Sequence, residues 1–282
     1  SIRFKHFKKT YDENILDIKG GLNDVVMNNS PIDIDKLIEG TNEILTANRN
    51  SLQLFDMLHS MRQFDDLTYV HSVNVALIAS ILGQWLKFSE KDIRILTISG
   101  LLHDIGKIMI PNEILTKPGK LTVAEYNIMK QHVNFGYEKV KNQNIDIRIK
   151  EACLLHHEKC DGTGYPFGLK SDQIPAVAKI IAIADVYDAM TSARVYRGAL
   201  CPFEVIDTMY KDAFTKFEPE YILPFLKNVA SSYINNDVRL SDGRIGKVVL
   251  INENALSLPI VQCEDEFIDL SKTRELTVSA IL

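Results

Sequence analysis

Residues 92–107 read DIRILTISGLLHDIGK, a largely apolar run that ends in the pair His103-Asp104 and, one helical turn further on, Lys107. A helix that is apolar on nearly all sides is typical of a protein core, so this pattern predicts a buried helix over residues 92–104. A histidine and a carboxylate at the end of such a helix are costly to bury without partners. The stretch therefore predicts a helical domain with a polar cluster in its interior.

Most of the chain before residue 232 has apolar residues at helical spacing. Ser30 is the predicted N-cap of one helix, with Pro31 in its first turn. Thr122 and Glu125 form the capping-box pattern that begins another helix. We predict helices over residues 31–45, 52–61, 69–86, 92–104, 122–140, 151–158 and 176–192.

Two segments depart from the helical pattern. DGTGYPFGLKSDQIP, residues 161–175, is a glycine-rich loop. Beyond residue 233, β-branched runs alternate with turn dipeptides such as Asp242-Gly243, which predicts about three to five strands joined by hairpins. The predicted fold class is mainly α, a helical bundle with a small C-terminal β appendage. We predict an N-terminal helical segment over residues 1–30, the main domain over 31–232 and the appendage over 233–282.

Composition narrows the class of protein. Hydrophobic residues make up 46% of the 282 residues and charged residues 24%, as in globular proteins. The net charge of −5 argues against a nucleic-acid-binding surface.

The start, SIRFKHFKKTYDEN, lacks a signal peptide and a Met, which indicates an excised domain. No apolar run approaches the roughly 18 residues of a membrane span. The cysteines lack C-x-x-C spacing, so we expect a reducing, cytoplasmic location. They are Cys153, Cys160, Cys201 and Cys263.

Histidines concentrate on the predicted inward faces. One histidine on an apolar helix face is more often a hydrogen-bonded core residue than a ligand. Here five of the seven histidines lie on such faces together with two carboxylates, Asp104 and Asp185, and so many buried polar groups are not satisfied cheaply without a cation. Imidazole and carboxylate suit Fe, Mn, Co, Ni or Zn. The five are His71, His103, His132, His156 and His157.

The pair His103-Asp104 indicates the chemistry. Asp104 can bridge two metal ions with its two oxygens, while His103 binds one of them. Two ions about 3.5–4 Å apart can clamp the oxygens of an in-line phosphoryl displacement, which predicts hydrolysis of a phosphate ester. Lys107 is placed to bind a non-bridging phosphate oxygen; the alternative is a solvated lysine.

In this order along the chain, the motifs resemble the signature of the HD-GYP family. They are His71, HDIGK at residues 103–107, His132, HHE at residues 156–158 and DGTGYP at residues 161–166. The match continues through IPNEILTKPGKLTVAEY and IAIADVYDAMTSARVYR, and covers about residues 60 to 200. The resemblance implies an HD-type helical bundle with a dinuclear metal site. It also implies a bacterial phosphodiesterase that hydrolyses cyclic di-GMP to pGpG, with further cleavage to GMP less favoured.

The resemblance also implies roles for individual residues. One ion would be held by His71, His103, Asp104 and Asp185, and the second by His132, His156, His157 and the shared Asp104. Catalytic roles fall on Asp104 and Lys107, and phosphate binding on Lys107, Arg194 and Arg197. The resemblance favours iron for both ions, with Mn, Co, Ni or Zn as alternatives.

The loop Gly164-Tyr165-Pro166 resembles the one that gives the family its name, which lies near the substrate and is implicated in contacts with protein partners. The alternative is a purely structural loop with Tyr165 as its anchor. A homodimer is a further expectation.

Some family members hold a third ion through a Glu four residues before the first histidine, where this chain has Leu67. Asp188 could bind such a third ion, but the Glu that would bind the ion with it is absent. We therefore predict two ions. Cys160 is not expected to be a ligand. Two other functions stay open: a non-catalytic receptor for cyclic di-GMP, and an HD phosphohydrolase that acts on another cyclic dinucleotide.

Overall fold

The computed structural model describes residues 2–48, 50–60, 67–192, 200–273 and 275–282, which form twelve α-helices followed by five β-strands. The helices are α1 (Ile2–Asn28), α2 (Ile34–Ala47), α3 (Ser51–Ser60), α4 (Leu67–Trp85), α5 (Glu90–Leu102), α6 (Asn112–Leu115), α7 (Val123–Met129), α8 (His132–Val140), α9 (Ile147–Leu155), α10 (Ala176–Thr191), α11 (Pro202–Asp212) and α12 (Pro219–Ser232). The strands are β1 (Asp237–Leu240), β2 (Ile245–Leu250), β3 (Ile260–Cys263), β4 (Glu266–Asp269) and β5 (Val278–Ile281). Two 3₁₀ turns lie between these helices, at Ile105–Met109 and Ser171–Gln173.

Helices α4 and α5 pack against each other at the centre of the bundle, and α1, α9 and α10 surround them. Their contact is unusually close at Gly100, where an added Cβ would lie 2.4 Å from the Cα of Ala76. Only glycine permits this approach. It brings His71 of α4 beside the end of α5, where the ring centroids of His71 and His103 are 5.3 Å apart.

The helix boundaries agree with the predictions in most places and differ at the start of α2. Asp33 is its N-cap, and the Asp33 side chain accepts a hydrogen bond of 3.2 Å from the backbone N–H of Lys36. The prediction that Ser30 caps this helix was wrong. Ser30 and Ile32 are held instead by the side chain of Gln143, whose oxygen accepts from the Ile32 N–H at 3.0 Å. Local sequence patterns do not reveal a partner so distant in the chain.

The segment predicted as one helix over residues 122–140 is two helices. The capping box is confirmed, because Thr122 accepts from the Glu125 N–H at 3.2 Å and Glu125 accepts from the Thr122 N–H at 2.7 Å. The continuous helix was wrong, since α7 ends at Met129 and α8 begins at His132. At this break Met129 O accepts a hydrogen bond of 2.7 Å from His132 Nδ1, and the His132 side chain turns into the interior.

Two other helices end earlier than predicted. The helix predicted over residues 92–104 ends at Leu102, and the one predicted over residues 151–158 ends at Leu155. The histidines that follow each end therefore lie in turns. His103 and His156 still have right-handed helical backbone angles and donate their backbone N–H groups to Ser99 O and Ala152 O. Their side chains therefore follow the direction of the helix, and both are buried in the interior.

The predicted β appendage is confirmed as one antiparallel sheet with the strand order β4-β3-β2-β1-β5. The turn between β1 and β2 contains Asp242-Gly243, as predicted, and Gly243 has a φ of +90°. Val238, Val248 and Val261 on the inward face are fully buried and belong to the same core as the helices. No helix in the described part of the chain has the length and apolar character needed to cross a lipid bilayer.

The close contact at Gly100 has a measurable consequence. Gly100→Ala should lower the free energy of unfolding by about 1–3 kcal/mol, because the added methyl group overpacks the contact with α4. Gly20 is the matched control, since a Cβ there meets no atom within 4 Å, and Gly20→Ala should raise the free energy of unfolding by about 0.5–1 kcal/mol. Chemical denaturation checks both values. Equal effects of the two substitutions would contradict the packing described for α4 and α5.

Candidate metal centre

The structure brings together all seven side chains that the sequence predicts as metal ligands. They form two sets, and within each set the ligand atoms lie within 4.8 Å of one another. One set is His71, His103 and Asp185, and the other is Asp104, His132, His156 and His157. Both sets combine imidazole with carboxylate, the donors suited to divalent first-row metals.

Asp104 lies between the two sets and is almost fully buried. Its Oδ2 is 3.3 Å from Nε2 of His103 and 3.6 Å from Nε2 of His71. Its Oδ1 is 3.3 Å from Nε2 of His132 and 3.7 Å from Nε2 of His156. Each carboxylate oxygen therefore faces a different group of imidazoles.

The position of Asp104 relative to α8 depends on Gly106. An added Cβ at Gly106 would lie 1.9 Å from the carbonyl oxygen of His132 and 2.5 Å from the backbone nitrogen of Gly136. The 3₁₀ turn after Asp104 thus packs directly on the backbone of α8. This contact brings Asp104 close to His132, whose Nε2 lies 3.3 Å from Asp104 Oδ1.

Three of the histidines use their Nδ1 atoms in the same way. Each Nδ1 donates to a backbone carbonyl one turn earlier in the chain, and a carbonyl oxygen can only accept, so Nδ1 carries the proton. Nε2 of each ring then points into the site, and Nε2 is the atom that would bind a metal. The pairs are His103 with Gly100 O at 2.7 Å, His132 with Met129 O at 2.7 Å and His156 with Ala152 O at 2.9 Å.

His71 has carboxylates on both sides of its ring. Its Nε2 is 2.8 Å from Asp185 Oδ1 and its Nδ1 is 2.7 Å from Asp188 Oδ2. Burial opposes protonation of His71, but these hydrogen bonds outweigh it and raise the pKa to about 9. Asp188, considered from the sequence only for a third ion, is thus the partner that orients His71. Its place on α10, three residues after Asp185, was the available signal.

The unpaired polar atoms of the site support a cation. Within the described part of the chain, three buried side-chain polar atoms have no hydrogen-bond partner, and they include His103 Nε2 and Asp104 Oδ1. The Nε2 atoms of His132 and His156 face each other at 3.4 Å. Buried lone pairs that face one another are unfavourable unless a positive ion lies among them. The donor set therefore fits divalent metal ions.

The pKa shifts of His132, His157 and Asp104 favour the protonation states that bind metal. Burial lowers the pKa of His132 to about 4 and, with the nearby His156, holds that of His157 well below its usual value. Burial opposes ionisation of Asp104, yet the His103 imidazole and the Lys107 ammonium hold its pKa well below the usual range. Near neutral pH, the two histidines are uncharged and Asp104 is ionised.

Lys107 lies on the 3₁₀ turn after Asp104, and its Nζ donates a hydrogen bond to Asp104 Oδ2. The Lys107 side chain is only 22% exposed, so it is directed to the site and is not a solvated surface lysine. It places one positive charge at the edge of the metal centre.

The glycine-rich loop packs directly on the histidine turn after α9. An added Cβ at Gly164 would lie 2.5 Å from the carbonyl oxygen of His157, and the Tyr165 N–H donates to this oxygen at 3.1 Å. The Tyr165 ring stacks on the His157 ring, with centroids 4.8 Å apart. Tyr165 therefore anchors the loop and also covers one side of the metal centre.

Glu158 secures the other side of this loop, a function that sequence reasoning missed. Its buried carboxylate accepts hydrogen bonds from the backbone N–H groups of Phe167 at 2.7 Å and Leu169 at 2.8 Å. The position of Glu158 directly after two ligands was the only local signal. Arg194 and Arg197, the predicted phosphate-binding pair, lie outside the described residues. Cys160 belongs to neither set of ligand atoms among the described residues.

A family model described as "HD domain" matches residues 39–221. The chain belongs to the HD domain family. The solved structure of Bd1817, an HDG"Y"P protein from Bdellovibrio bacteriovorus, superposes on this HD domain protein with a TM-score of 0.65 at 17% identity, over 79% of this chain and 71% of that one. This likeness shows the shared fold.

Curated relatives of the HD domain protein are more similar in sequence. It is 37% identical over 203 residues to cyclic di-GMP phosphodiesterase PA4108 of Pseudomonas aeruginosa, covering 72% of this chain and 49% of the relative. It is 36% identical over 197 residues to the response regulator RpfG of Xanthomonas campestris, named a cyclic di-GMP phosphodiesterase. This match covers 69% of this chain and 52% of RpfG. A 3′3′-cGAMP-specific phosphodiesterase of Vibrio cholerae is 32% identical over 188 residues, which cover 65% of this chain and 36% of that relative. The recognition of an HD-GYP-type protein is thus confirmed, although the chain spans about half the length of the first two relatives.

The opposite pKa shifts of two histidines predict a pH optimum for the stability of the metal-free protein. His132 has a folded pKa of about 4 against 6.5 unfolded, so its contribution to stability should rise as the pH increases from about 4 to 6.5. His71 has a folded pKa of about 9 against 6.5 unfolded, so its contribution is complete below pH 6.5 and is lost as the pH rises through about 9.

Denaturation of the chelator-treated protein from pH 5 to pH 10 checks these directions. In His71→Asn the alkaline loss of stability should be smaller than in the wild type, while in His132→Asn it should be unchanged. An identical alkaline profile in the wild type and His71→Asn would contradict the role given to the Asp185 and Asp188 carboxylates.

Proposed function

We propose that this chain is a phosphodiesterase that hydrolyses cyclic di-GMP to linear pGpG at a centre of two divalent metal ions. The observation that carries the proposal is the placement of Asp104, whose two oxygens face separate groups of imidazoles. A carboxylate in this position is suited to bridge two ions, the arrangement of two-metal sites that cleave phosphate esters. Iron is the favoured metal, with Mn, Co, Ni or Zn as alternatives, since the donor set is imidazole and carboxylate.

When bound, the pair of ions supplies Lewis acidity to the phosphoryl group and lowers the pKa of water. The chain itself contributes the other functions. Lys107 lies at the edge of the centre, where its ammonium would hold a non-bridging phosphate oxygen and neutralise negative charge that develops there. We assign Arg194 and Arg197 to the phosphates of the cyclic dinucleotide, since planar guanidinium groups suit phosphate oxygens. Gly164, Tyr165 and Pro166 are assigned to the substrate-facing wall, because Tyr165 stacks on His157 beside the metal ligands.

Three relatives support two related substrates. The relatives from Pseudomonas aeruginosa and Xanthomonas campestris are named cyclic di-GMP phosphodiesterases, and one from Vibrio cholerae is named a 3′3′-cGAMP-specific phosphodiesterase. The two cyclic di-GMP phosphodiesterases match a larger share of this chain, 72% and 69% against 65%, which favours cyclic di-GMP. 3′3′-cGAMP is the second candidate, and a non-catalytic receptor is the third; the complete set of ligands argues for catalysis. A protein partner at the Gly164-Tyr165-Pro166 loop and a homodimer stay predictions.

One experiment tests metal, activity and substrate together. The protein is prepared without oxygen, its metals are quantified, and turnover of cyclic di-GMP, 3′3′-cGAMP and pGpG is measured. We expect two ions per chain, faster turnover of cyclic di-GMP than of 3′3′-cGAMP, and accumulation of pGpG before GMP. Binding of cyclic di-GMP without turnover, in protein with both ions bound, would establish the receptor and defeat the proposed activity.

The shared carboxylate gives a direct prediction. Asp104→Ala should abolish turnover and reduce the content of both ions, because each ion loses a ligand and the bridging negative charge. Metal analysis and a turnover assay check this result. The control is Asp35→Ala, which removes an exposed carboxylate paired with Arg94 and should change neither value. Wild-type metal content in Asp104→Ala would exclude a bridging role.

Lys107 gives a prediction that separates catalysis from metal binding. Lys107→Met should retain both ions and lose about 10²–10³-fold in kcat, the usual effect of removing one donor that stabilises developing charge. The exposed Lys120 is the matched control, and Lys120→Met should behave as the wild type. Loss of metal in Lys107→Met would instead make Lys107 a structural counter-ion of Asp104.

A further inference from the structure

A continuous line of buried hydrogen bonds joins the N-terminal helix α1 to the metal centre. The Tyr11 hydroxyl donates to Asn74 Oδ1, and Asn74 Nδ2 donates to Asp188 Oδ1 at 3.0 Å. Asp188 Oδ2 lies 2.7 Å from His71 Nδ1, and His71 Nε2 lies 2.8 Å from Asp185 Oδ1. Tyr11, Asn74 and Asp188 are each at most 2% exposed, so water does not compete for these bonds.

The direction of each hydrogen bond follows from the chemistry of its members. Asn74 Nδ2 donates to Asp188 Oδ1, so the oxygen of the same amide is directed to α1. That oxygen needs a donor, and the Tyr11 hydroxyl supplies one. Asp188 in turn accepts from His71 Nδ1, which leaves His71 Nε2 for the metal side of the ring. Tyr11 thereby fixes the orientation of the Asn74 amide.

His71 differs in this respect from three other predicted ligands. His103, His132 and His156 each donate Nδ1 to a backbone carbonyl of their own chain segment. The Nδ1 partner of His71 is instead a side chain of α10, which depends on further side chains for its own position. The orientation of His71 therefore depends on contacts with another helix, and α1 is the last member of that line.

A second contact between α1 and α4 lies close to the first. The amide of Asn23 donates to the Tyr69 hydroxyl at 3.0 Å, and Tyr69 is two residues before His71. Tyr11 and Asn23 thus hold α4 on either side of His71 along the chain. Helix α1 lies wholly before the residues matched by the HD domain family model.

We propose that Tyr11 is a positioning residue of the metal centre: through Asn74 and Asp188 it sets the orientation of His71, so that α1 forms part of the functional site. The proposal rests on the proposed function only in taking His71 as a metal ligand. Helix α1 is therefore a structural element of the enzyme, and its displacement relative to α4 would alter the ion that His71 binds.

Tyr11→Phe tests the proposal, because it removes only the hydroxyl group. Tyr233→Phe is the matched control: Tyr233 is equally buried, and its hydroxyl lies 3.3 Å from the Tyr187 hydroxyl, outside this line of bonds. Both proteins are freed of metal and titrated with Co²⁺, whose visible absorption reports ligand geometry. Unfolding is measured in parallel.

We expect two Co²⁺ binding steps in the wild type. Tyr11→Phe should lower the Co²⁺ affinity of one step about 3–10-fold and shift the absorption spectrum of that step. This loss of affinity is smaller than the loss of about 10–100-fold expected when a direct partner of a metal ligand is removed, as in Asp188→Asn. The other step should be unchanged. In the turnover assay kcat should fall while KM is retained. Tyr233→Phe should alter stability alone.

Wild-type Co²⁺ affinity and spectrum in folded Tyr11→Phe would overturn the proposal and leave Tyr11 a core residue. If Tyr11→Phe does not fold, Asn74→Ser is measured in its place, with the same two outcomes. Failure of the proposed function looks different, because the wild type would then bind Co²⁺ without hydrolysing cyclic di-GMP, whereas the effect of Tyr11→Phe on Co²⁺ binding would persist.

Discussion

The ionised carboxylate of Asp104, buried among four imidazoles, is the constraint on which the rest of the site depends. A charge at this depth is tolerated only when positive charge and hydrogen-bond donors surround it. Lys107 supplies one positive charge, and the inward Nε2 atoms of the histidines complete a donor set that fits divalent ions. The close approaches at Gly100 and Gly106 serve this arrangement, because they bring α4 and α8 to the end of α5.

Most of the candidate ligands lie where helices end. His103 and His156 follow directly after α5 and α9, and each donates Nδ1 to a backbone carbonyl of the last helical turn, Gly100 O at 2.7 Å and Ala152 O at 2.9 Å. His71 lies within α4, and its Nδ1 is bonded to a side chain of another helix, that of Asp188 on α10.

The folded unit is larger than the matched HD domain. Helix α1 and the C-terminal sheet both lie outside residues 39–221, yet their buried side chains belong to the same hydrophobic core as α4 and α10. The glycine-rich loop is fastened in a similar way, because Glu158 directly follows the candidate ligand His157 in the chain and the Tyr165 ring stacks on the His157 ring. Packing and site geometry are therefore not separable in this protein.

The sequence by itself determined the mainly helical fold, the β appendage and the seven side chains that converge, because helical periodicity and the order of the motifs are local properties of the chain. Only the tertiary structure decided how these side chains are oriented. The segment before α2 is held by Gln143, more than one hundred residues further along the chain. The roles of Glu158 and Asp188 likewise depend on partners in the glycine-rich loop and on α4. Tyr11 lies sixty-three residues from Asn74 in the chain, and no local pattern reveals such a contact, since it exists only once α1 has packed on α4.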